Sequence, residues 1–388
     1  MAAQRICDAM LPELSRGFEV TLAQAAQVVS MFAVVYGVAQ LFYGPLGDRL
    51  GKFRIIAWAT LACGIGCSMA VFAANLNMLV LARMATGLAA AAIIPLAMAW
   101  IGDQVHPAHL QENLARVGLG TSLGVASGQM LGGLATSTIG WRWAFVLLAL
   151  LFGCVGSLLL ADWQRQKAAV AQQRAAWAVV PPEEPVARPT FLAQTWAIIS
   201  GRWSRVVLLV AFVEGAAGPG VMVMWAAHLH QFAQLSLFAA GAIVALFGLG
   251  GVAYMASARP LIARLGQHGL ARFGAGGMGL CTLAVAYTPF WWLAIPASLL
   301  AGFGFLMFHN TMQTNAANMA PSARGTAVSL FAAALFLGQS LGATLAASLF
   351  EHLGSPHVVA LGGAIIAALG LWFGSVLHKR NNHAAAAG

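Results

Sequence analysis

Eleven long apolar runs limit what this chain can fold into. Each holds about 20 mostly apolar residues, the length at which a helix crosses the hydrocarbon core of a bilayer. The runs cover residues 22–43, 55–74, 77–101, 115–137, 142–162, 205–227, 235–257, 271–290, 291–313, 323–350 and 356–377. Only 8% of the residues are charged, whereas soluble globular proteins carry about a quarter. We therefore predict an all-α membrane protein.

A shorter, more polar segment precedes the first run. As a helix, residues 2–17 would reach only roughly 24 Å, and they include four charged residues, Arg5, Asp8, Glu13 and Arg16. This is too short and too polar for an ordinary span. We expect a protein of twelve helices whose first helix is truncated near its middle, as a misassigned start would produce.

One long polar stretch, residues 163–203, divides the runs into two groups. It contains the proline- and glutamate-rich segment 181–185, which is typical of a linker. The apolar residues that follow, 191–199, predict a short helix in the membrane interface. We predict an N-terminal bundle over 1–162 with helices 1–6, a cytoplasmic linker over 163–203, and a C-terminal bundle over 204–388 with helices 7–12.

The basic residues predict the orientation. If the N-terminus is cytoplasmic, 16 of the 20 Lys and Arg residues fall on the cytoplasmic side, and only Arg16 and Arg142 lie in loops on the other side. Cytoplasmic loops of membrane proteins carry such an excess of basic residues. We expect a multi-pass protein of the bacterial inner membrane with both termini cytoplasmic. The net charge of +9 then reflects topology, and no nucleic-acid partner is expected.

The two halves of the chain repeat. Residues 45–51 align with 260–266 at an offset of 215, and residues 128–132 align with 338–342 at an offset of 210. Parallel repeats of this kind build transporters whose central site has access from both sides. We predict two six-helix bundles related by a pseudo-twofold axis along the membrane normal.

The segment between helices 2 and 3 carries the most specific pattern. It reads GPLGDRLGKFR over 44–54, with the motif residues Gly44, Leu46, Asp48, Arg49, Gly51, Lys52 and Arg54. Glycine permits a tight turn, and the acid and the cations suit helix ends at a charged membrane surface. The segment resembles the signature of the major facilitator superfamily. That resemblance implies a loop that locks and releases a cytoplasmic gate, with Asp48 essential; the alternative is an ordinary basic loop.

Residues 81–87 in helix 4 resemble a second signature of that family. Arg83 lies roughly 9 Å inside the outer boundary. A buried arginine in hydrocarbon is costly, so Arg83 is expected to face a cavity or a partner acid. The alternative is that it extends to the interface.

Helix 5 carries a regular glycine stripe, which lets another helix backbone approach closely. Its members, four residues apart, are Gly120, Gly124, Gly128 and Gly132. The stripe resembles the antiporter signature of drug:proton exchangers, except that Gln129 stands where that family has proline. The resemblance implies export; close packing of helices is the alternative.

Two acids are candidates for proton coupling. Asp8, four residues before Pro12, resembles the helix-1 acid of twelve-helix drug:proton antiporters; the alternative is a solvated residue near a frayed end. Glu214 lies roughly 13 Å into a core of about 30 Å, the depth at which this architecture binds substrate. An acid there must pair, take a proton or hold a cation. A bond to a neighbouring helix is the alternative.

Four further polar residues are candidates for the central site. His309 and Asn310 lie late in helix 10, where a gate role and an interfacial cap are both open. Gln129 and Gln339 occupy equivalent positions of the repeat and are candidates to line the cavity. The five cysteines lie in apolar segments, and no metal cluster, nucleotide-binding loop or catalytic triad is found. We expect neither a cofactor nor enzymatic activity.

These features favour a proton-coupled exporter of small amphipathic compounds that works by alternating access. We expect its partners to be the small-molecule substrate, protons and membrane lipids, and the protein to be a monomer. Two other functions stay open. One is a proton-coupled uptake symporter for a small metabolite, and the other is a truncated membrane protein that transports nothing.

Overall fold

The computed structural model describes residues 1–176 and 191–386, and these residues form helices without strands. Helix 1 consists of three short pieces, Ala2–Arg5, Asp8–Met10 and Leu11–Gly17. Helix 2 has two pieces, Leu22–Ala25 and Gln27–Leu50. Helices 3 to 6 cover Lys52–Val71, Leu76–Gln104, Pro107–Thr138 and Trp141–Ala176.

The second half of the chain repeats this arrangement after a short connecting helix, Phe191–Ser200. Helix 7 is built from Arg202–Gly215, a π-helical turn at Ala216–Gly220, and Trp225–Phe232. Helices 8 and 9 lie within one long stretch, Leu237–Tyr287. Helices 10, 11 and 12 cover Ala294–Asn318, Arg324–Leu353 and Ser355–Ala386.

The described helices account for all of the predicted spans. Nine stretches are long and apolar enough to cross a membrane, and one of them, Leu237–Tyr287, has 51 residues and holds two spans. Helix 5, whose glycines and polar residues make it less apolar, supplies the remaining span. The prediction of an all-α membrane protein is confirmed.

The loop expected over residues 44–54 is only a single-residue turn. Helix 2 continues to Leu50 and helix 3 begins at Lys52, so Gly51 alone makes the turn. Gly51 has a φ of 91°, a left-handed conformation that glycine adopts without a steric penalty. Its repeat counterpart Gly266, with a φ of 59°, makes the turn between helices 8 and 9. One left-handed residue is enough to reverse the chain in both halves.

Helix 6 is longer than its apolar run. It continues from the predicted end at residue 162 to Ala176, so the first part of the predicted linker is helical. The ring of Trp163 lies 5.4 Å from the Arg54 guanidinium and 5.5 Å from the Lys167 ammonium, both measured to the ring centroid. The short apolar helix expected after the linker is present as Phe191–Ser200. The proline-rich segment 181–185 lies outside the described residues.

The repeat seen in sequence is also a repeat in packing. A Cβ added to Gly132 in helix 5 would collide with the carbonyl oxygen of Ile6 in helix 1. A Cβ added to Gly342 in helix 11 would collide with the carbonyl oxygen of Ala216 in helix 7. Both members of the second pair lie 210 residues beyond those of the first. The same contacts occur one helical turn earlier, where Gly128 packs against the backbone of Ala2 and Gly338 against the backbone of Phe212.

The two halves also pack against each other at one end of the helices, which we call the sealed side. There one apolar cluster joins Leu14 and Leu22 of the first half to Met224 and Phe350 of the second. The backbone N–H of Ala23 donates a hydrogen bond of 3.2 Å to the Glu351 carboxylate across the same boundary. We call the opposite end, which carries the Gly51 connection, the basic side.

Candidate functional site

Helix 7 is interrupted where its sequence is richest in glycine and proline. Residues Ala216–Gly220 form the π-helical turn, and regular helix resumes at Trp225. Proline has no N–H to donate and disturbs the helical hydrogen bonds around it. The backbone N–H of Val223 donates to the carbonyl oxygen of Gly220 rather than to that of Pro219. The Pro219 carbonyl oxygen accepts a hydrogen bond of 3.2 Å from Arg5 of helix 1. The interruption therefore supplies a polar backbone contact between the two halves.

Asp8 is buried beside that contact. Its Oδ2 accepts a bond of 3.1 Å from the Arg5 guanidinium, and only 1% of the residue is exposed. The alternative of a solvated Asp8 is therefore wrong, because the interrupted helix 7 and helix 5 cover it. Gln129 of helix 5 lies next to the carboxylate. The Asp8 Oδ1 atom and both polar atoms of the Gln129 side chain are buried without a hydrogen-bond partner.

Arg83 does not extend to the membrane interface, since its side chain is completely buried. Its three guanidinium nitrogens donate to backbone carbonyl oxygens of helices 1 and 2, those of Val28, Ala3 and Gln4, at 3.1, 2.6 and 3.4 Å. The guanidinium also lies 4.2 Å from the centroid of the Phe32 ring. Arg83 thus ties helix 4 to helices 1 and 2 through carbonyl dipoles, without a carboxylate partner.

Glu214 is the buried acid of the second half. Its Oε1 lies 2.9 Å from Nδ1 of His309 on helix 10, and its Oε2 has no hydrogen-bond partner. The acid is fully buried, whereas 19% of the histidine side chain is exposed. Helix 10 continues beyond His309 for roughly 14 Å, so the histidine lies deep in the bundle, level with Glu214. Phenylalanine rings flank the histidine, with centroids 5.4 Å away at Phe305 and 5.6 Å away at Phe331.

The other two candidates on helices 10 and 11 have separate partners. Asn310 donates a hydrogen bond of 3.1 Å to the hydroxyl of Tyr254 on helix 8. Gln339 accepts one of 3.2 Å from Gln4 of helix 1, while its own side-chain nitrogen is buried and unpartnered. Sequence reasoning missed Gln4, although the offset of 210 makes it the repeat counterpart of Glu214.

The motif residues 44–54 lie at the basic side, apart from these buried groups. Lys52 forms ion pairs with Asp48 at 3.3 Å and with Asp103 of helix 4 at 2.5 Å. Gly47 packs closely on Leu96 of helix 4. The remaining members are exposed or half-buried at the end of helix 2 and the start of helix 3, namely Gly44, Leu46, Arg49, Gly51 and Arg54.

The glycine stripe of helix 5 faces helix 1 over part of its length. Gly128 and Gly132 touch the helix-1 backbone, and a Cβ on Gly124 would lie 3.1 Å from the Cβ of Met1. Gly120 faces open space, with nothing within 4 Å of an added Cβ. The stripe therefore positions Asp8 and Arg5 against helices 5 and 7.

Two buried charge clusters result, one in each half. The first contains Arg5, Asp8, Arg83 and Gln129, and the second contains Glu214 and His309. The Gln4–Gln339 hydrogen bond connects the halves between them. Within the described residues, no group of three or more His, Cys, Asp and Glu side chains could hold a metal ion. The arrangement holds charges inside a membrane protein and pairs them with groups on the same or neighbouring helices.

Two repeated six-helix halves, each with buried charged side chains, are the architecture of a polytopic membrane transport protein. The sequence profile of the Major Facilitator Superfamily matches residues 1–343. The chain belongs to this family.

Curated relatives are similar in sequence, and a solved structure is similar in fold. The inner membrane transport protein YnfM of Escherichia coli is 25% identical over 379 residues, which cover 96% of this chain and 86% of YnfM. The lincomycin resistance protein of Streptomyces lincolnensis is 33% identical over 139 residues, 35% of this chain and 28% of that protein. The crystal structure of a variant of the nucleoside transporter NupG matches with a TM-score of 0.74 and 14% identity, covering 96% of both chains.

Proposed function

We propose that this transporter is a proton-coupled exporter of small amphipathic compounds, in which Glu214 and His309 couple proton and substrate movement. The observation that carries the proposal is the buried Glu214 carboxyl group, with one oxygen on His309 and the other without a partner. A buried carboxyl group in this position must take a proton, keep a charged partner or accept a cation.

We prefer Glu214 to Asp8 as the coupling group because the two acids have different partners. An imidazole can be neutral or protonated, so a Glu–His pair has more than one net charge available to it during a transport cycle. Asp8 is paired with Arg5, and a guanidinium stays charged in proteins. A protonation that changes the relative stability of two conformations shifts their populations, which is what alternating access requires.

The surroundings of the pair favour an amphipathic substrate. The partly exposed His309 lies between Phe305 and Phe331, and the next residue, Asn310, is bonded to Tyr254. Small-molecule sites are mostly apolar with a few polar groups that fix orientation. A compound with a ring system and one basic nitrogen matches both features.

Export rather than uptake rests on two similarities. The helix-5 glycines resemble the antiporter pattern of drug:proton exchangers, and part of the chain is similar to a protein named for lincomycin resistance. The basic residues favour a cytoplasmic position for the linker and both termini, and the relative YnfM is named an inner membrane protein. We propose the same membrane for this chain.

The test uses everted membrane vesicles and proteoliposomes, with radiolabelled lincomycin and the amphipathic cation ethidium as the compounds. We expect the wild-type protein to accumulate at least one of these compounds in everted vesicles whose lumen is more acidic than the medium. Glu214→Gln keeps the size and one hydrogen bond of the side chain but cannot ionise. This variant should lose pH-driven accumulation and keep downhill exchange of the bound compound.

The matched control is Glu13→Gln, the same change at an acid on the surface of helix 1, which should transport normally. Accumulation by Glu214→Gln with the wild-type pH dependence would remove Glu214 from the coupling mechanism. Accumulation only in right-side-out vesicles would establish uptake. Failure of both compounds to move in either orientation, with folded protein present, would favour a protein that does not transport them.

A further inference from the structure

A long apolar groove runs along the outside of the first half, away from both charge clusters. It lies between helices 2, 3 and 4 and has a volume of about 510 Å³. Its walls include the exposed side chains of Trp58, Ile65, Met69 and Leu88. Such surfaces face hydrocarbon in a membrane protein, so exposure of these side chains is expected; the concave shape is the unusual feature.

One end of the groove is positively charged. Arg54 lines it at the basic side, and none of the described acids forms an ion pair with Arg54. Its guanidinium and the Lys167 ammonium lie on the same Trp163 ring, at 5.4 and 5.5 Å. Tryptophan is enriched at the headgroup level of the bilayer. Arg54 therefore lies at the headgroup level at one end of the apolar groove, and Lys167 lies beside the same tryptophan ring.

The length of the groove suits an acyl chain. From Arg54 to Met69, helix 3 rises roughly 22 Å, while one leaflet of the hydrocarbon core is about 15 Å thick. The hydroxyl of Tyr43 in the wall donates a hydrogen bond of 2.8 Å to the Leu88 carbonyl oxygen, so it presents no free donor to the groove. The groove is thus apolar over the depth of one leaflet and positively charged only at the end that Arg54 lines.

We propose that this groove is a binding site for an anionic glycerophospholipid. The phosphate lies against Arg54 and Lys167, and one acyl chain fills the groove past Trp58 toward Ile65. Basic pockets between membrane helices bind anionic headgroups by the same combination of charge and apolar contact. The second half lacks this arginine at the equivalent position, because the repeat counterpart of Arg54, at an offset of 215, is Gly269.

The test is lipid retention by the purified full-length protein. The protein is equilibrated in detergent with equal amounts of phosphatidylglycerol and phosphatidylethanolamine, and the bound lipids are counted by native mass spectrometry. We expect the wild-type protein to retain phosphatidylglycerol preferentially. Arg54→Gln and Lys167→Gln should each lower this preference about fivefold, which corresponds to about 1 kcal/mol per basic residue near the membrane surface.

Three controls keep the test specific. Arg264→Gln removes an exposed arginine at the same side of the other half and should leave the preference unchanged. Ala62→Trp, which fills the groove, should lower retention of both lipids, whereas Ala284→Trp on the outer face of helix 9 should not. Thermal unfolding of each variant in detergent checks that it is folded.

Equal retention of the two lipids by the wild-type protein, or an unchanged preference in Arg54→Gln, would overturn the proposal. Displacement of the lipid by the cationic dye rhodamine 6G, with tighter dye binding in Arg54→Gln, would instead identify a site for amphipathic cations and also overturn it. Neither result depends on transport, so the proposed function is tested separately.

Discussion

The two halves of this transporter share a packing plan but bury different charges. Glycines of helix 5 and helix 11 touch the backbones of helix 1 and helix 7 at positions that differ by the same 210 residues. The first half then buries Arg5 with Asp8, while the second buries Glu214 with His309. Backbone packing is thus conserved between the repeats, and the side chains at the same depth are free to take different roles.

The difference in partners matters because arginine and histidine behave differently when buried. A buried carboxylate next to a guanidinium forms a fixed pair, and removal of either member leaves an uncompensated charge. A carboxyl group next to histidine can stay neutral together with its partner. We infer that the first pair holds the structure of helix 1 and that the second supplies the variable charge.

The strongest test of this difference compares Asp8→Asn with Glu214→Gln. Asp8→Asn leaves the buried Arg5 without a carboxylate and should lower the free energy of unfolding by about 3–5 kcal/mol. Glu214→Gln still offers an acceptor to a neutral His309 and should cost only about 0.5–1.5 kcal/mol. Thermal and denaturant unfolding of the purified proteins in detergent would measure both.

A double variant serves as the control for this comparison. Arg5→Met combined with Asp8→Leu removes both charges and should regain most of the stability that Asp8→Asn loses, because no buried charge is left unpaired. If Asp8→Asn is as stable as the wild-type protein, the distinction between a fixed pair and a variable pair is wrong.

The shared packing plan predicts equal effects in the two halves. Gly132→Ala and Gly342→Ala would each push a Cβ into a carbonyl oxygen of the facing helix, and overpacking of this kind costs about 1–3 kcal/mol. Gly120→Ala, in the same stripe of helix 5, faces open space and should have no such cost. The midpoint of thermal unfolding measures all three. A loss confined to one half would show that the repeat is not equivalent in energy.

A substitution next to the Gly51 connection, Asp48→Asn, should affect transport but not stability. Asp48 is mostly exposed and its ion pair with Lys52 is worth about 0–1 kcal/mol at most. Asp48→Asn should therefore unfold almost like the wild-type protein and yet abolish accumulation of the transported compound, as expected for a gate residue. The repeat counterpart is Ala263, and Ala263→Asn is the matched control. Wild-type transport rates in Asp48→Asn would remove the gate assignment.

The last prediction concerns orientation, and the expected result is an absence of labelling in intact cells. Parallel halves that both begin on the cytoplasmic side place the end of helix 6 and the end of helix 12 on the same face. Single cysteines at Ala176 and Asn382 should both stay unlabelled when an impermeant thiol reagent is added outside intact cells. Labelling of both after permeabilisation is the control. Labelling of either one in intact cells would contradict the orientation.

Sequence alone determined the class and the order of the helices. Hydrocarbon excludes unpaired backbone groups, so long apolar runs leave the chain little choice except membrane helices. The offsets of 215 and 210 likewise predicted the two-half repeat before any contact was known.

Tertiary structure decided which polar groups meet. Glu214 and His309 are 95 positions apart, and Arg83 binds the carbonyl oxygens of Ala3 and Gln4 rather than an acid. Hydropathy fixes the depth of a residue in the membrane but not the rotation of its helix or the neighbour it faces. Close approach at the glycines sets those rotations, so the pairing of buried charges follows from packing between helices that are distant in sequence.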